Sequence, residues 1–242
     1  MKILITNDDG IASPILPHLI CWAKKHGEVT TVAPKVEQSG MSQAIDFYRE
    51  VEIKEVSLAP DSKAWAMNST PADCVRFGVL GLGNRYDLIL SGINRGYNLG
   101  DDIVYSGTVG AIFEGARLGI PGIALSTDPD SLFAALDQLD TLAAFINRHG
   151  LMAQNSLYNV NFPAEAQGIR MTKQGGMFYT DAFEHRGGDM YIQVGEPVKD
   201  SGTDLASDIN AIRNGYISVT PLIATRTDLA AFERLKSLSQ KL

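Results

Sequence analysis

The sequence predicts an α/β protein built on a Rossmann-like, doubly wound, mostly parallel sheet, and three observations carry that prediction. Apolar runs at residues 2–6, 29–33, 87–91, 122–126 and 157–162 are mostly continuous rather than alternating, as strands covered on both faces are. Between them lie stretches with the helical apolar period, so strand and helix succeed one another through the first two thirds of the chain. The composition, 45% hydrophobic and 20% charged over 242 residues, is that of a globular protein with a substantial core.

Taken in order, the first strand at 2–6 runs into Asn7-Asp8-Asp9-Gly10, where Gly10 permits a sharp turn. An amphipathic helix is predicted over 15–25, then a strand at 29–33 and the loop Pro34-Lys35-Val36-Glu37-Gln38-Ser39-Gly40. Thr70-Pro71-Ala72-Asp73 reads as a helix start, with an N-cap threonine, proline at the first helical position and an acid in the first turn. The strand at 87–91 leads into Ser91-Gly92-Ile93-Asn94-Arg95-Gly96, and Tyr105-Ser106-Gly107-Thr108 opens a helical run to Leu118. After the strand at 122–126, Ser131 begins a helix with Leu132, Leu136, Leu139, Ala143 and Ile146 on one face, and the strand at 157–162 follows.

Past residue 163 the character changes. Segments 168–173, 177–180 and 187–194 read as hairpin-like strands around Gly-rich turns, an excursion from the main sheet. A helix is predicted over 203–214, ended by Gly215, then a return strand at 216–220 stopped by Pro221, and a helix at 227–238. The expected division is a sheet domain over 1–163 and a hairpin, return strand and helix region over 164–242.

Charge excludes one class of partner. With 21 Lys+Arg against 28 Asp+Glu, the net charge of −7 repels a polyanion, so no nucleic-acid polymer is expected, although one phosphate can still be held locally. The N-terminus carries no signal-peptide pattern, and no apolar stretch approaches the roughly 20 residues that span a bilayer. A cytoplasmic protein without membrane contact is expected. Cys21 and Cys74 lie far apart in helix-like patterns, as buried reduced thiols would.

Four segments carry chemistry. Asp8 and Asp9 sit at the carboxyl end of the first strand, where open α/β sheets bind ligands, and adjacent carboxylates repel unless a cation lies beside them. Ser39 and Asn94 follow two further strands and are neutral oxygen donors able to complete a hard cation's coordination. Ser106, Gly107 and Thr108 open a helix whose N–H groups and dipole make an anion seat. Each segment also has an ordinary role as turn or cap chemistry; their convergence on one rim is what points to a metal beside a phosphate. Nucleophile elbow, Walker loop and Cys-X-X-Cys patterns are absent, and Gly81-Leu82-Gly83 lacks the third glycine of a dinucleotide fingerprint.

These segments resemble one family. The opening 2–10, Gln38-Ser39-Gly40, Ser69-Thr70-Pro71-Ala72-Asp73-Cys74-Val75, Ser91-Gly92-Ile93-Asn94 and Asn98-Leu99-Gly100-Asp101-Asp102 match it in order. Tyr105-Ser106-Gly107-Thr108-Val109, Asn159-Val160-Asn161, Gly202-Thr203-Asp204 and the run Gly215 to Leu222 extend the match. The chain resembles the survival protein E (SurE) family of metal-dependent nucleotidases. That resemblance implies one divalent cation per subunit, Mg²⁺ or Mn²⁺, held by Asp8, Asp9, Ser39 and Asn94. Asp8, Asp9 and Asn94 would then be catalytic, and Ser106, Gly107 and Thr108 would seat the substrate phosphate. It further implies hydrolysis of nucleoside 5′- or 3′-monophosphates, short-chain polyphosphatase activity in some members, and a homodimer or homotetramer with C-terminal segments in subunit contact. The chain departs from the usual pattern at Gly40-Met41-Ser42-Gln43, at Ser69 and at 224–228. A non-catalytic nucleotide- or phosphate-sensing module of the same fold is the alternative.

Overall fold

A computed structural model of the chain describes residues 1–198 and 202–238. The parts of the expected 164–242 region at 199–201 and 239–242 lie outside the described residues. The strands are β1 (Lys2–Thr6), β2 (Glu28–Pro34), β3 (Ile53–Val56), β4 (Lys63–Met67), β5 (Leu88–Arg95), β6 (Gly122–Thr127), β7 (Leu157–Phe162), β8 (Ile169–Met171), β9 (Ala182–Gly187), β10 (Met190–Val194) and β11 (Ile217–Pro221). The helices are α1 (Leu16–Ala23), α2 (Pro71–Arg76), α3 (Gly107–Arg117), α4 (Ala134–His149), α5 (Leu151–Gln154), α6 (Asp208–Arg213) and α7 (Leu229–Leu235).

Nine strands form one sheet in the order β3-β4-β2-β1-β5-β6-β7-β11-β8, parallel except where β3 meets β4 and β11 meets β7. The doubly wound, mostly parallel architecture is therefore present. Side chains of β1 alternate across it: Ile3 and Ile5 pack with Leu16, Leu19 and Ile20 of α1 and Leu139 and Leu142 of α4. Leu4 packs on the other face with Cys74 and Val75 of α2 and Val109 and Ile112 of α3. Each such aliphatic side chain, fully removed from water, contributes about 1.5–3 kcal/mol, which is why a five-residue strand can anchor both layers.

Several elements differ from the sequence expectation. Segment 168–173 is not part of a hairpin: β8 lies parallel to β11 at the edge of the main sheet, and only β9 and β10 form the separate two-stranded sheet. The helix expected over 203–214 is confined to α6, because the preceding residues are spent on a turn in which Ser207 N–H reaches the Asp204 carbonyl. The helix expected from Ser131 starts at Ala134 as α4, since Ser131 instead accepts the Ala134 N–H in a turn. β3 and β4 are additional strands at the far edge. Cys74 is buried, but Cys21 is exposed: the buried side of α1 is Leu16, Leu19, Ile20 and Ala23, and position 21 falls on the opposite side. No helix among the described residues is long and apolar enough to cross a membrane.

Candidate active site

The strand order reverses at β1, which has β2 on one side and β5 on the other, so the loops leaving β1 and β5 diverge and open a crevice beyond the strand ends. The turn after β1 is shaped by Asn7. Its Nδ2 donates to the Gly10 carbonyl at 3.0 Å, and the Gly10 N–H donates back to Asn7 Oδ1 at 3.1 Å. This reciprocal pair closes the backbone around Asp8 and Asp9.

Asp8 meets the start of α3. The Thr108 N–H donates to Asp8 Oδ2 at 3.0 Å and the Thr108 hydroxyl donates to Oδ1 at 2.5 Å. Ser106 caps the same helix, its Oγ accepting the Val109 N–H at 3.1 Å. Gly107 is what lets helix and carboxylate come this close: a Cβ there would lie 3.0 Å from Asp8 Cβ and 3.1 Å from Oδ2. Both Thr108 donors are thus committed to Asp8.

Burial pushes the Asp8 carboxyl above the usual range, against the two Thr108 hydrogen bonds and with a further upward push from Glu37. Asp9 is raised to about 6, first by burial and then by the charge of Asp8, while the Arg95 N–H, 3.2 Å from Oδ2, pulls it down. Two neighbouring acids that both resist ionisation would ionise more readily with a cation beside them, which is the electrostatic match such a pair offers a metal.

Ser39 follows β2 in an exposed loop tied to this turn by the Gln38 N–H, which reaches the Asp8 carbonyl at 2.7 Å. Its hydroxyl donates to Glu37 Oε1 at 2.7 Å. Asn94 was expected just beyond its strand; it lies on β5 itself, past a register shift against β6 between Ser91 and Asn94. The bulge that re-aims it needs Gly92, whose φ is +132° and whose missing Cβ would sit 2.2 Å from the Leu125 carbonyl oxygen. Asn94 Nδ2 donates to the Gly96 carbonyl at 2.9 Å, so Oδ1 is the atom it has to offer a ligand.

Asp8, Ser39, Asn94 and Ser106 line one cavity of about 800 Å³. Asp9, Gly107 and Thr108 do not line it: Gly107 and Thr108 back Asp8, and Asp9 takes the Arg95 N–H on its Oδ2. No described cluster gathers three or more His, Cys, Asp or Glu. The donors present, two carboxylates with an amide and a hydroxyl oxygen, nevertheless form the hard-oxygen set that suits Mg²⁺ or Mn²⁺.

The segments at 98–102 and 159–161, quoted above for their family match but given no role there, meet beside this cavity. Asn98 is gripped from four directions: its N–H donates to Asn161 Oδ1, its Nδ2 to Ser126 Oγ, and its carbonyl accepts Nδ2 of both Asn159 and Asn161. The two-residue spacing of Asn159 and Asn161, which puts both on one face of β7, was the available signal. Tyr179, Asp181 and Gln193, from the hairpin region, also line the cavity and left no sequence signal.

Fold and crevice define the class: a doubly wound α/β protein with an oxygen-donor site at its switch point and a helix start against it. The chain belongs to the survival protein SurE family, whose model matches residues 3–181. It is 37% identical over 248 residues to the 5′-nucleotidase SurE of Caldanaerobacter subterraneus subsp. tengcongensis, covering 98% of this chain and 96% of that protein. It is 38% identical over 250 residues to the 5′-nucleotidase SurE of Pelotomaculum thermopropionicum, covering 98% and 95%. The crystal structure of SurE protein from Aquifex aeolicus superposes with a TM-score of 0.80 at 32% identity, covering 98% of this chain and 99% of that one.

Proposed function

We propose that this chain is a metal-dependent phosphomonoesterase that hydrolyses nucleoside 5′-monophosphates to nucleoside and phosphate. Family resemblance extends the proposal to 3′-monophosphates and short-chain polyphosphate. The observation that carries it is the convergence of Asp8, Ser39, Asn94 and Ser106 on one cavity at the switch point, together with the 5′-nucleotidase names of the relatives.

In this reading Asp8, Asp9, Ser39 and Asn94 hold one divalent cation, Mg²⁺ or Mn²⁺. When bound, such a cation polarises a phosphoryl oxygen and lowers the pKa of an attacking water. The protein's own part is positioning. Thr108 and the Asn7–Gly10 turn hold Asp8 in place, and the start of α3 at Ser106 and Gly107 supplies a dipole and donors for charge on the transferring phosphoryl group.

We further infer that 1–163 carries the chemistry and 164–242 the contacts of a homodimer or homotetramer. Exposed Phe183, Met190 and Tyr191 on the hairpin and Leu229, Phe232 and Leu235 on α7 support that role.

The test is phosphate release from a nucleotide panel after EDTA treatment, with Mg²⁺ or Mn²⁺ then restored. Release from nucleoside monophosphates only with metal is expected; no release with any metal overturns the proposal. Asp8→Asn is expected to abolish turnover while the fold persists. Nucleotide affinity that survives Asp8→Asn, in a protein that shows no turnover with any metal, would favour the sensing module.

A further inference from the structure

The cavity is larger than a phosphate and a cation require. At a share of ~30 Å³ per water, its roughly 800 Å³ would hold on the order of 25 waters, within the size range that takes a whole small molecule. Its walls come from two sources. One is the set of strand-end loops and the α3 start described above; the other is the stem of the hairpin, with Tyr179, Asp181, Gln193 and Gly195.

The stem is built to hold Tyr179 still. Its backbone N–H donates to Asp102 Oδ2 at 3.0 Å, and Tyr179 pairs antiparallel with Pro197. On either side, the Val198 N–H reaches the Phe178 carbonyl at 2.8 Å and the Thr180 N–H the Glu196 carbonyl at 2.9 Å. Phe178 anchors the segment in a small core with Leu99, Ile209 and Ile212, and the Tyr179 ring stands edge-on to it, 4.9 Å between centroids at 84°. The Tyr179 residue stays 41% exposed. A large flat ring fixed by backbone pairing and left open on a cavity is a stacking platform, since aromatic side chains offer area at small entropic cost.

Beside this platform the polar atoms are acceptors. Asp102 and Asp181 both line the cavity, neither is ion-paired with a described residue, and Gln193 spends Nε2 on Asp181 Oδ1 at 3.1 Å. Acceptors next to a stacking ring match a neutral heterocycle carrying N–H donors and a ribose carrying hydroxyls.

We propose that Tyr179, with Asp181 and Gln193, forms the nucleoside subsite of this cavity, Tyr179 stacking the base while the acceptors take its donors. The proposal rests on the phosphomonoesterase reading for where the phosphate sits. It assigns substrate selection to the hairpin stem and chemistry to the strand ends. The family model ends at residue 181, so the β10 side of this wall lies beyond the span that contains Asp8, Ser39, Asn94 and Ser106.

The test compares equilibrium binding of AMP and of ribose 5-phosphate, the same phosphate ester without the base, to the full chain by titration calorimetry, with Ca²⁺ in place of the activating Mn²⁺ so that neither ester is consumed. Tyr179→Ala is expected to weaken AMP relative to ribose 5-phosphate by roughly five- to a hundredfold, the range that base stacking on an aromatic ring supplies. Tyr179→Phe, which keeps the ring, is expected to retain the wild-type ratio. Because ribose 5-phosphate reports an intact phosphate end, a misfolded variant loses both ligands and is replaced by Tyr179→Leu, for which the same fall in ratio is expected. A ratio unmoved by loss of the ring overturns the subsite while leaving turnover standing. AMP that binds in a Tyr179-dependent way but is hydrolysed with neither Mg²⁺ nor Mn²⁺ overturns the phosphomonoesterase reading and leaves the subsite standing. A wild-type protein that binds neither ligand overturns both.

Discussion

Thr108 clamps Asp8 from two directions, by its backbone N–H on Oδ2 and its hydroxyl on Oδ1. The N–H belongs to the first turn of α3, so the helix's positive end and a side-chain donor act on one buried carboxylate. Without them Asp8 would be a buried charge with little to oppose its protonation. Thr108→Val keeps the shape and the N–H but removes the hydroxyl. The expected result is a 10- to 100-fold loss of Mn²⁺ affinity or of kcat/KM, the usual consequence of losing a group that orients a metal ligand. Calorimetric Mn²⁺ titration and initial rates check it; wild-type values in both would mean that the hydroxyl merely fills space.

Gly107→Ala tests the closeness of that approach. A methyl 3.0 Å from Asp8 Cβ and 3.1 Å from its Oδ2 forces the helix start or the carboxylate to give by a few tenths of an ångström. Within a helix alanine is otherwise favoured over glycine. The expected outcome is therefore a near-wild-type melting temperature with kcat reduced about tenfold or more, because small misplacements at a reacting centre are costly. Unchanged kcat would show that the site absorbs the shift.

Asp9 makes the site pH-sensitive. Its carboxyl is raised to about 6, chiefly by burial and then by Asp8, with Glu37 adding and the N–H and guanidinium of Arg95 opposing. Protons should compete with the cation below that value, so Mn²⁺ affinity is expected to hold between pH 7 and 8 and to fall as pH drops through about 6. The metal-free fold should behave in the opposite sense. Its Asp9 pKa exceeds the unfolded value of about 4, so the fold binds the extra proton in this window and gains stability as pH falls from 7 toward 4. Melting curves in EDTA should show a larger rise from pH 7 to pH 5 for wild type than for Asp9→Asn; equal rises would contradict the shift.

Glu114 ties the loop bearing Ser39 to the helices. It is 2% exposed; its Oε1 accepts from Arg76 Nη1 at 2.9 Å and Arg117 Nε at 3.0 Å, and its Oε2 accepts Gln43 Nε2 at 3.0 Å. Glu114→Ala leaves the Arg76 charge and the Gln43 amide without their acceptor. A loss of roughly 3 kcal/mol is expected, the low end for breaking a buried pair, because Arg117 is half exposed and recovers water. Urea unfolding in EDTA checks the figure; a loss under 1 kcal/mol would mean that the network is dispensable.

The sheet was legible in the sequence where strands are buried on both faces, because the short, mostly apolar runs at β1, β2, β5, β6 and β7, with helical periods between them, leave few other readings. β3 and β4 were not: at the edge, exposed Lys54, Glu55 and Lys63 break the apolar pattern that would have announced them. Asp8, Asp9, Ser39, Asn94 and Ser106 were singled out from residue type and position after strands, a local property that one sequence carries. That Thr108 spends both donors on Asp8 depends on how α3 docks across a separation of 100 residues, which no local pattern encodes.

By itself, then, the sequence determined the strand and helix succession, the acidic turn at Asp8-Asp9 and the helix start at Ser106-Gly107-Thr108, since turn, cap and strand preferences act within a few residues. Only the tertiary structure decided that these segments share one cavity, that the bulge at Gly92 re-aims Asn94, and that the hairpin stem presents Tyr179 to the same space. Those relationships arise where distant backbone segments pack, and there burial, close approach and shared hydrogen bonds decide which side chains meet.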